Sequence, residues 1–428
     1  MDSLQNVLPI AGIVICLWAT LQVIGWTAAS VGSQSISKTK SNNQSRRNIN
    51  ASQNLDRDKL PGLADSNRNE TGSWRGFRRF VVSQIQKETA ECTSVMLTPC
   101  DGKPIADYMP GQHLTLQLTT SSGSPTTRCY SLSNSFRPDT YRISVKQALP
   151  PVDNPHVSPG VASTFINDEL GTGDHVLAKT PSGSFYLSPG LEPIVLLGAG
   201  VGITPLMSMI ETIVAQGANR SVLLFYGNSS GQTAIFYQRL NEISERCPNI
   251  SVINCLTRPT EQDQLGINYH FNGRVSIELL QQVLPSNQFQ YFMCGPAAFI
   301  ESLYSGLIDW GVSDSQIHFE AFGPSTVKRV SETQQSSGVT APTRHFQIRL
   351  TESDQELEWN GEHDSLLELT EQNEIWIDSG CRAGSCGTCQ TTLLKGKVSY
   401  PGHEGISCDP GKCLPCVALP ESDLELEV

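Results

Sequence analysis

The sequence predicts a chain of several domains: an N-terminal transmembrane helix, a small antiparallel β-barrel, an α/β domain with a parallel sheet, and a small α+β unit at the C-terminal end. Three observations predict it. An uncharged apolar run stands near the start. After Pro189 the texture changes from short β-rich segments broken by Gly and Pro to strands alternating with helices. From Cys381 onward lie six of the 13 cysteines.

The apolar run Val7–Ala29, VLPIAGIVICLWATLQVIGWTAA, has no ionisable side chain except Cys16. Its length suits a tilted helix that crosses a bilayer. Trp18 and Trp26 are amphipathic, and Trp26 suits an interface. A cleaved signal peptide is the rival reading, because TAAS ends in small residues. No Lys or Arg precedes the run, however, and it exceeds the usual h-region. An uncleaved single-pass anchor is therefore expected over residues 1–30. Lys38, Lys40, Arg46 and Arg47 follow it, so the globular part is expected on the cytoplasmic side of a cell membrane. Residues 31–73, rich in Ser, Asn and Gln, read as a disordered tether.

A chain of 428 residues holds two or three domains. The net charge of −12 excludes general nucleic-acid binding. It is unevenly spread. Residues 341–428 carry 6 Lys+Arg against 16 Asp+Glu, 6 − 16 = −10, and residues 31–79 carry 10 against 4, 10 − 4 = +6. A chain this long with clustered cysteines favours a metal site in a reducing compartment over a disulfide scaffold.

From Trp74 to Pro189, the segments RRFVVSQIQ, SVMLTPC, HLTLQLTT, YRISVKQ and HVLAKTP alternate and are punctuated by Gly and Pro, the pattern of a small barrel over residues 74–189. Then PIVLLGAG, SVLLFYG, ISVINCL and FQYFMCGP alternate with helical stretches. They imply a parallel sheet with right-handed crossovers over residues 190–323. A polar linker is expected over 324–343, and the acidic unit over 344–428.

Chemistry-bearing residues stand at the joints of this plan. In RCYSLSN, Arg128 supplies a fixed fork for phosphate oxygens, Tyr130 a ring that can stack, and Ser131 a hydroxyl for the polar edge of a ring. Alone, these three residues fit an ordinary strand equally well. In SPGVASTF, Gly160 and Ser163 stand where a helix begins, an anion-binding end. In LLGAGVGITP, Gly198, Gly200 and Gly202 join a buried strand to a helix, where a phosphate can approach the backbone. The spacing is G-x-G-x-G, not the dinucleotide fingerprint G-x-G-x-x-G. Cys381, Cys386 and Cys389 follow C-x4-C-x2-C, the spacing of plant-type [2Fe–2S] ferredoxins, whereas structural zinc usually pairs two C-x2-C knuckles. Gly384 and Gly387 would let backbone N–H groups turn toward sulfur. A fourth ligand has three candidates, Cys408, Cys413 and Cys416.

In this order the motifs resemble the ferredoxin–NADP reductase family, most closely the reductase half of flavohaemoproteins and the reductases of aromatic-ring and steroid oxygenases. The resemblance covers residues 74–428. It implies an FAD-binding barrel in which Arg128, Tyr130 and Ser131 contact the flavin, Lys146 lies near it, and Gly160 and Ser163 reach its pyrophosphate. HFEAFGP would close that site with Glu320 and Phe322. The sequence G-x-G-x-G-x-T-P, with Thr204 and Pro205, and MCGPAAF, with Cys294, Gly295 and Pro296, would bind NAD(P)H and line the nicotinamide. Cys294, Tyr130 and Glu320 are then the candidate catalytic residues. The ending CLPCVALP resembles the ferredoxin C-terminus and selects Cys416 as the fourth cluster ligand in a β-grasp ferredoxin domain, with Cys413 kept as an alternative. FYGNSSGQ offers neither a carboxylate for a ribose 2′-hydroxyl nor an Arg for a 2′-phosphate, which favours NADH. The expected activity is electron transfer from NAD(P)H through FAD to a [2Fe–2S] cluster and on to an unidentified protein acceptor such as an oxygenase. The anchor departs from the largely soluble oxygenase reductases. A nitric-oxide dioxygenase would need a globin domain before Trp74, where only the apolar span and the tether stand. A membrane-tethered redox sensor without turnover is the alternative from another class, and the intact nicotinamide motifs weigh against it.

Overall fold

The structure is a computed structural model, and it describes residues 73–74, 76–120, 125–150, 158–322, 345–377, 379, 384, 387, 389–401 and 408–428. The expected anchor, nearly all of the tether and the linker lie outside them, as do Cys381 and Cys386. No helix among the described residues is long and apolar enough to cross a membrane.

The first sheet contains β1 (Arg78–Thr89), β2 (Cys92–Pro99), β3 (His113–Thr119), β4 (Pro125–Ser131), β5 (Tyr141–Lys146) and β6 (His175–Ala178). Its order is β4-β3-β6-β1-β2-β5, with every pairing antiparallel. A bridge between Leu132 and Ile143 joins the two edges and closes the barrel. Alternation makes the core. Phe80 and Val82 on β1, and Leu114, Leu116 and Leu118 on β3, point inward at no more than 1% exposure, with Tyr141 packed among them. A four-residue helix, α1 (Val161–Thr164), runs into a π-helical turn, Phe165–Glu169. Asn167 in that turn takes a hydrogen bond from Thr93 Oγ1 at 2.7 Å and gives one to the Val145 carbonyl at 3.1 Å, which docks the turn on β2 and β5.

The second sheet is all parallel: β7 (Ile194–Ala199), β8 (Val222–Asn228), β9 (Ile250–Leu256), β10 (Phe271–Asn272), β11 (Gln290–Pro296) and β12 (Ile317–Phe322), in the order β10-β9-β8-β7-β11-β12. Every residue of β9 is buried, as expected of a strand covered on both faces. The crossovers carry α2 (Ile203–Ala215), α3 (Tyr237–Arg246), α4 (Ile277–Val283) and α5 (Ala297–Asp309). The strand order reverses between β7 and β11, and ligands of open α/β sheets bind outside the carboxyl ends at such a point.

The C-terminal unit has β13 (Phe346–Leu350), β14 (Gln355–Trp359), α6 (Leu366–Gln372), β15 (Thr391–Lys395), β17 (Lys412–Cys413) and β19 (Leu424–Leu426), with β16 (Val398–Ser399) and β18 (Leu419–Pro420) as a separate pair. The sheet order is β14-β13-β19-β15-β17, and β13 lies parallel to β19. Ser365 caps α6 by accepting from Glu368 N at 3.2 Å. Leu366 and Leu369 enter the main core beside Ile348 and Leu426. Leu367, on another side of the helix, joins a small second cluster with Cys389, Leu414, Cys416 and Val417.

Candidate functional site

The glycine loop is built by tight packing at the carboxyl ends of β7 and β11. Gly202 ends a 3₁₀ turn and is the N-cap of α2. A Cβ there would overlap the carbonyl of Cys294, so only glycine lets the loop meet β11. Gly200 takes φ +53° and has open space where a Cβ would stand, which suits a backbone that a phosphate approaches. A Cβ on Gly198 would stand 3.1 Å from Leu206, and one on Gly295 would stand 3.0 Å from Ala199. Thr204 is buried and spends its hydroxyl on the Val201 carbonyl at 3.0 Å, bracing the first turn, and Pro205 is buried behind it. Tyr226, from β8, reaches across and donates to the Gly200 carbonyl at 3.2 Å. No sequence signal pointed to that tyrosine.

Cys294 sits at the end of β11 in register with Gly198 on one side and Glu320 on the other. It is fully buried. Desolvation first, then the Glu320 carboxylate, hold its thiol well above the ordinary cysteine range. Cys294 is thus a packed thiol at the strand end. Pro296 is exposed one step beyond Gly295 and pairs in register with Phe322.

On the barrel, Arg128 is exposed on β4 and donates from Nη1 to the Thr127 carbonyl at 2.7 Å. Tyr130 is half-buried, and burial raises its phenol above the ordinary range. Ser131 is 5% exposed, and its Oγ has no hydrogen-bond partner among the described residues. A buried orphan hydroxyl is costly unless something else supplies a partner. It fits the polar edge of the ring that the motif implies. Lys146 ends β5 and pairs with Glu91 at 3.4 Å. Ser163 is occupied locally: it gives its hydroxyl to the Gly160 carbonyl and accepts from Ala148 N, both at 3.0 Å. Gly160 fits there because a Cβ would stand 2.9 Å from both Ala148 Cβ and Ser163 Oγ. The neighbouring Thr164 Oγ1 is buried with no partner among the described residues, a candidate that the sequence did not single out.

The barrel and the parallel sheet meet at the end of RCYSLSN. Ser208 on α2 donates to the Asn134 carbonyl at 2.7 Å, and Glu211, one turn on, pairs with Arg142 at 3.4 Å and Arg239 at 3.6 Å. The seam carries Glu320 to within 3.9 Å of His113, whose register partner across β3 and β4 is Ser131. The strand opposite Ser131 thus approaches Glu320, the neighbour of Cys294 in the parallel sheet. Phe322 is half-buried at the end of β12 and packs against the core of the parallel sheet.

One expectation needs correcting. Sequence reading placed no basic group near Ser229. In the fold Arg258, 29 residues on and just past β9, donates from Nη2 to Ser229 Oγ at 3.3 Å, and its backbone N–H binds the Ser229 carbonyl at 2.7 Å. Parallel pairing of β8 with β9 brings the two strand ends together.

In the C-terminal unit, the Sγ atoms of Cys389 and Cys416 stand 3.1 Å apart, both buried. Cys416 is fixed by α6, because Leu366 N and Leu367 N bind the Ala418 and Pro415 carbonyls at 3.0 and 2.9 Å. Gly384 and Gly387 take φ +71° and +66°, turns that favour glycine. Gln390 Nε2 is buried without a partner among the described residues, a spare donor beside Cys389 that suits an acceptor such as sulfide. Cys413 is different. It lies in the main core, and burial pushes its thiol up to about 12, so it behaves as a small packing residue. Cys408 is half-buried and bonded to the Lys412 carbonyl at 3.1 Å.

Residues 196–304 match the oxidoreductase NAD-binding domain family, and residues 348–421 match the 2Fe-2S iron-sulfur cluster binding domain family. The chain carries both domains. Curated relatives match over part of the chain. The flavohemoprotein of Halalkalibacterium halodurans is 35% identical over 255 residues, 59% of this chain and 61% of that protein. The one from Rhizobium meliloti is 33% identical over 264 residues, 61% and 64% of the two chains. The chain thus spans about six tenths of the length of these curated relatives. Among solved structures, the FAD/NAD binding domain of nitric oxide dioxygenase from Vibrio cholerae is 29% identical with a TM-score of 0.51, covering 58% of this chain and 99% of that one. A type IV self-sufficient cytochrome P450 monooxygenase, at 20% identity and a TM-score of 0.53, shares the fold over 82% of this chain and 41% of its own.

Proposed function

We propose that this protein is an NAD(P)H-dependent electron-transfer oxidoreductase that passes electrons from the nucleotide through FAD to a [2Fe–2S] cluster and on to an acceptor protein. The observation that carries this reading is the succession on one chain of a barrel, an NAD-binding oxidoreductase domain and a 2Fe–2S domain. A nicotinamide gives two electrons together, a flavin can hold one or two, and a [2Fe–2S] cluster takes one at a time.

The chain's own residues bind and orient. Gly198, Gly200 and Gly202 present backbone to the nucleotide phosphates, with α2 behind them. Cys294, Gly295 and Pro296 shape the nicotinamide edge. Arg128 is set to hold flavin phosphate oxygens, Tyr130 to stack on the ring, and Ser131 to bond its polar edge. Lys146, Gly160, Ser163 and Phe322 complete the flavin surround, and Glu320 supplies charge where the two rings meet. Cys381, Cys386, Cys389 and Cys416 hold the cluster.

Arg258 and Ser229 stand at the end of the second strand of the nucleotide sheet, where the adenosine ribose of such cofactors is read. A guanidinium there admits a 2′-phosphate, so both NADH and NADPH are donors. Val7–Ala29 anchors the protein to a cell membrane with the globular part cytoplasmic, and the acceptor is a protein such as an oxygenase. The apolar run and the basic tether behind it support this.

Detergent-solubilised protein assayed with NAD(P)H and cytochrome c tests the reading. Turnover that requires both bound flavin and cluster supports it. Absence of turnover with both groups loaded refutes it and favours a sensor.

A further inference from the structure

One carboxylate at the seam between the barrel and the parallel sheet has no part in the roles above. Glu211 lies in α2 between two guanidiniums, with its side chain 8% exposed. Arg142, from β5 of the barrel, places Nη2 3.4 Å from Glu211 Oε1 and is itself 18% exposed. Arg239, from α3 on the same side of the seam as Glu211, places Nε 3.6 Å from that oxygen and is 43% exposed. The other oxygen, Oε2, accepts from Ser135 N at 3.3 Å. Both guanidiniums are permanently charged, and the cross-seam pair is shielded enough that salt screens it little. Each end of that pair is fastened to part of the candidate site. Arg142 grips Ser133, two residues past Ser131: Nε donates to Ser133 Oγ at 3.1 Å, Nη2 donates to the Ser133 carbonyl, and the Arg142 carbonyl accepts from Ser133 N at 2.9 Å. Glu211 stands on the helix whose N-cap is Gly202 of the glycine loop. The Arg142 guanidinium also lies over the Phe236 ring, 5.0 Å from its centroid. Phe236, the N-cap of α3, takes φ +61°, a left-handed backbone that a bulky residue seldom adopts. Such a conformation persists where its surroundings over-determine it.

We infer that Glu211 and Arg142 are positioning residues for hydride transfer, their ion pair setting how the segment that bears Ser131 faces the helix that begins at the glycine loop. This rests on the flavin and nicotinamide reading of the site. Hydride passes only between rings held in contact, so a small displacement of one side against the other costs rate. Arg239 shares the carboxylate but pairs with it from within the nucleotide domain, so it puts no constraint across the seam. The two arginines thus separate positioning from simple stability.

Glu211→Gln keeps the shape of the side chain and removes its charge, and Arg142→Met and Arg239→Met each remove one partner. These variants and the double variant Glu211→Gln/Arg142→Met are purified with flavin, and flavin reduction by NADH is followed in single turnovers. The expected result is a rate about tenfold lower in Glu211→Gln and in Arg142→Met, no lower in the double variant, and unchanged in Arg239→Met, with the nucleotide Kd little altered throughout. Hydrogen exchange read by mass spectrometry supplies a measurement apart from activity. The peptide spanning residues 131–136 should exchange faster in Glu211→Gln and Arg142→Met than in wild type, and at the wild-type rate in Arg239→Met. If Glu211→Gln does not fold, the comparison of Arg142→Met with Arg239→Met decides. Equal slowing in the two arginine variants, an unchanged rate in Arg142→Met, or exchange that ignores the loss of Arg142 would overturn the inference. A wild-type protein that binds no flavin or is not reduced by NADH would instead sink the underlying reading of function.

Discussion

In the parallel sheet the candidate site is made of backbone, and in the C-terminal unit it is made of side chains. At the end of β7, Gly202 packs so closely on the Cys294 carbonyl that no Cβ fits, and Thr204 and Tyr226 brace the loop through main-chain carbonyls. Such a site tolerates changes that keep the backbone path and fails when a side chain intrudes. In the C-terminal unit the informative atoms are sulfurs held in a small cluster apart from the main core, and two cysteines three residues apart have opposite fates. Cys416 faces Cys389, whereas Cys413 is buried among Ile348 and Leu426. There the identity of one side chain decides the site, and the backbone around it is ordinary strand and turn.

This contrast can be broken experimentally, beginning with the largest expected effect. Cys389→Ser and Cys416→Ser should each abolish cytochrome c reduction and the cluster's visible absorbance while leaving flavin reduction by NADH intact. Equal loss of both activities would break the separation between the two regions. Gly202→Ala should raise the nucleotide KM at least about tenfold and cost about 1–3 kcal/mol of stability from overpacking, read by thermal unfolding. Unchanged nucleotide kinetics would mean that the loop has slack. For Arg258→Ala the expected loss is about tenfold in kcat/KM for NADPH with little change for NADH, because only the 2′-phosphate needs the guanidinium. Parallel losses with both donors would remove Arg258 from that role. Ser131→Ala should weaken flavin retention by about fivefold, the worth of one neutral hydrogen bond, as measured by equilibrium dialysis. The smallest effect belongs to Cys413→Ala: a normal cluster spectrum and a loss of about 1 kcal/mol in stability. A lost cluster there would reverse the assignment of Cys413 and Cys416.

Much of this was legible in the sequence because it is local. The alternation in HLTLQLTT gives a strand with Leu114, Leu116 and Leu118 inward, and the apolar run before GAGVG gives a buried parallel strand. The glycines and cysteines announce themselves because few other residue types do their work. What escaped is what depends on distant strands meeting. Arg258 is 29 residues from Ser229 and reaches it only through the β8–β9 pairing. His113 reads as the first residue of an ordinary strand until Glu320 arrives from another sheet. Spacing alone leaves Cys413 and Cys416 alike, and only the resemblance of CLPCVALP favours Cys416; in the fold one sulfur lies at Cys389 and the other in the core. The π-helical turn after α1 had no signal either. It follows from Asn167 bonding to two strands at once.

The central claim is that electrons entering at the nucleotide sheet arrive at the C-terminal cysteines. Anaerobic titration of the purified, cofactor-loaded protein with NADH, followed by absorbance and low-temperature electron paramagnetic resonance, tests it most directly. The account predicts that NADH bleaches the flavin and develops the rhombic signal of a reduced [2Fe–2S] cluster, and that Cys389→Ser shows only the bleaching. A wild-type cluster that dithionite reduces but NADH leaves oxidised would contradict it.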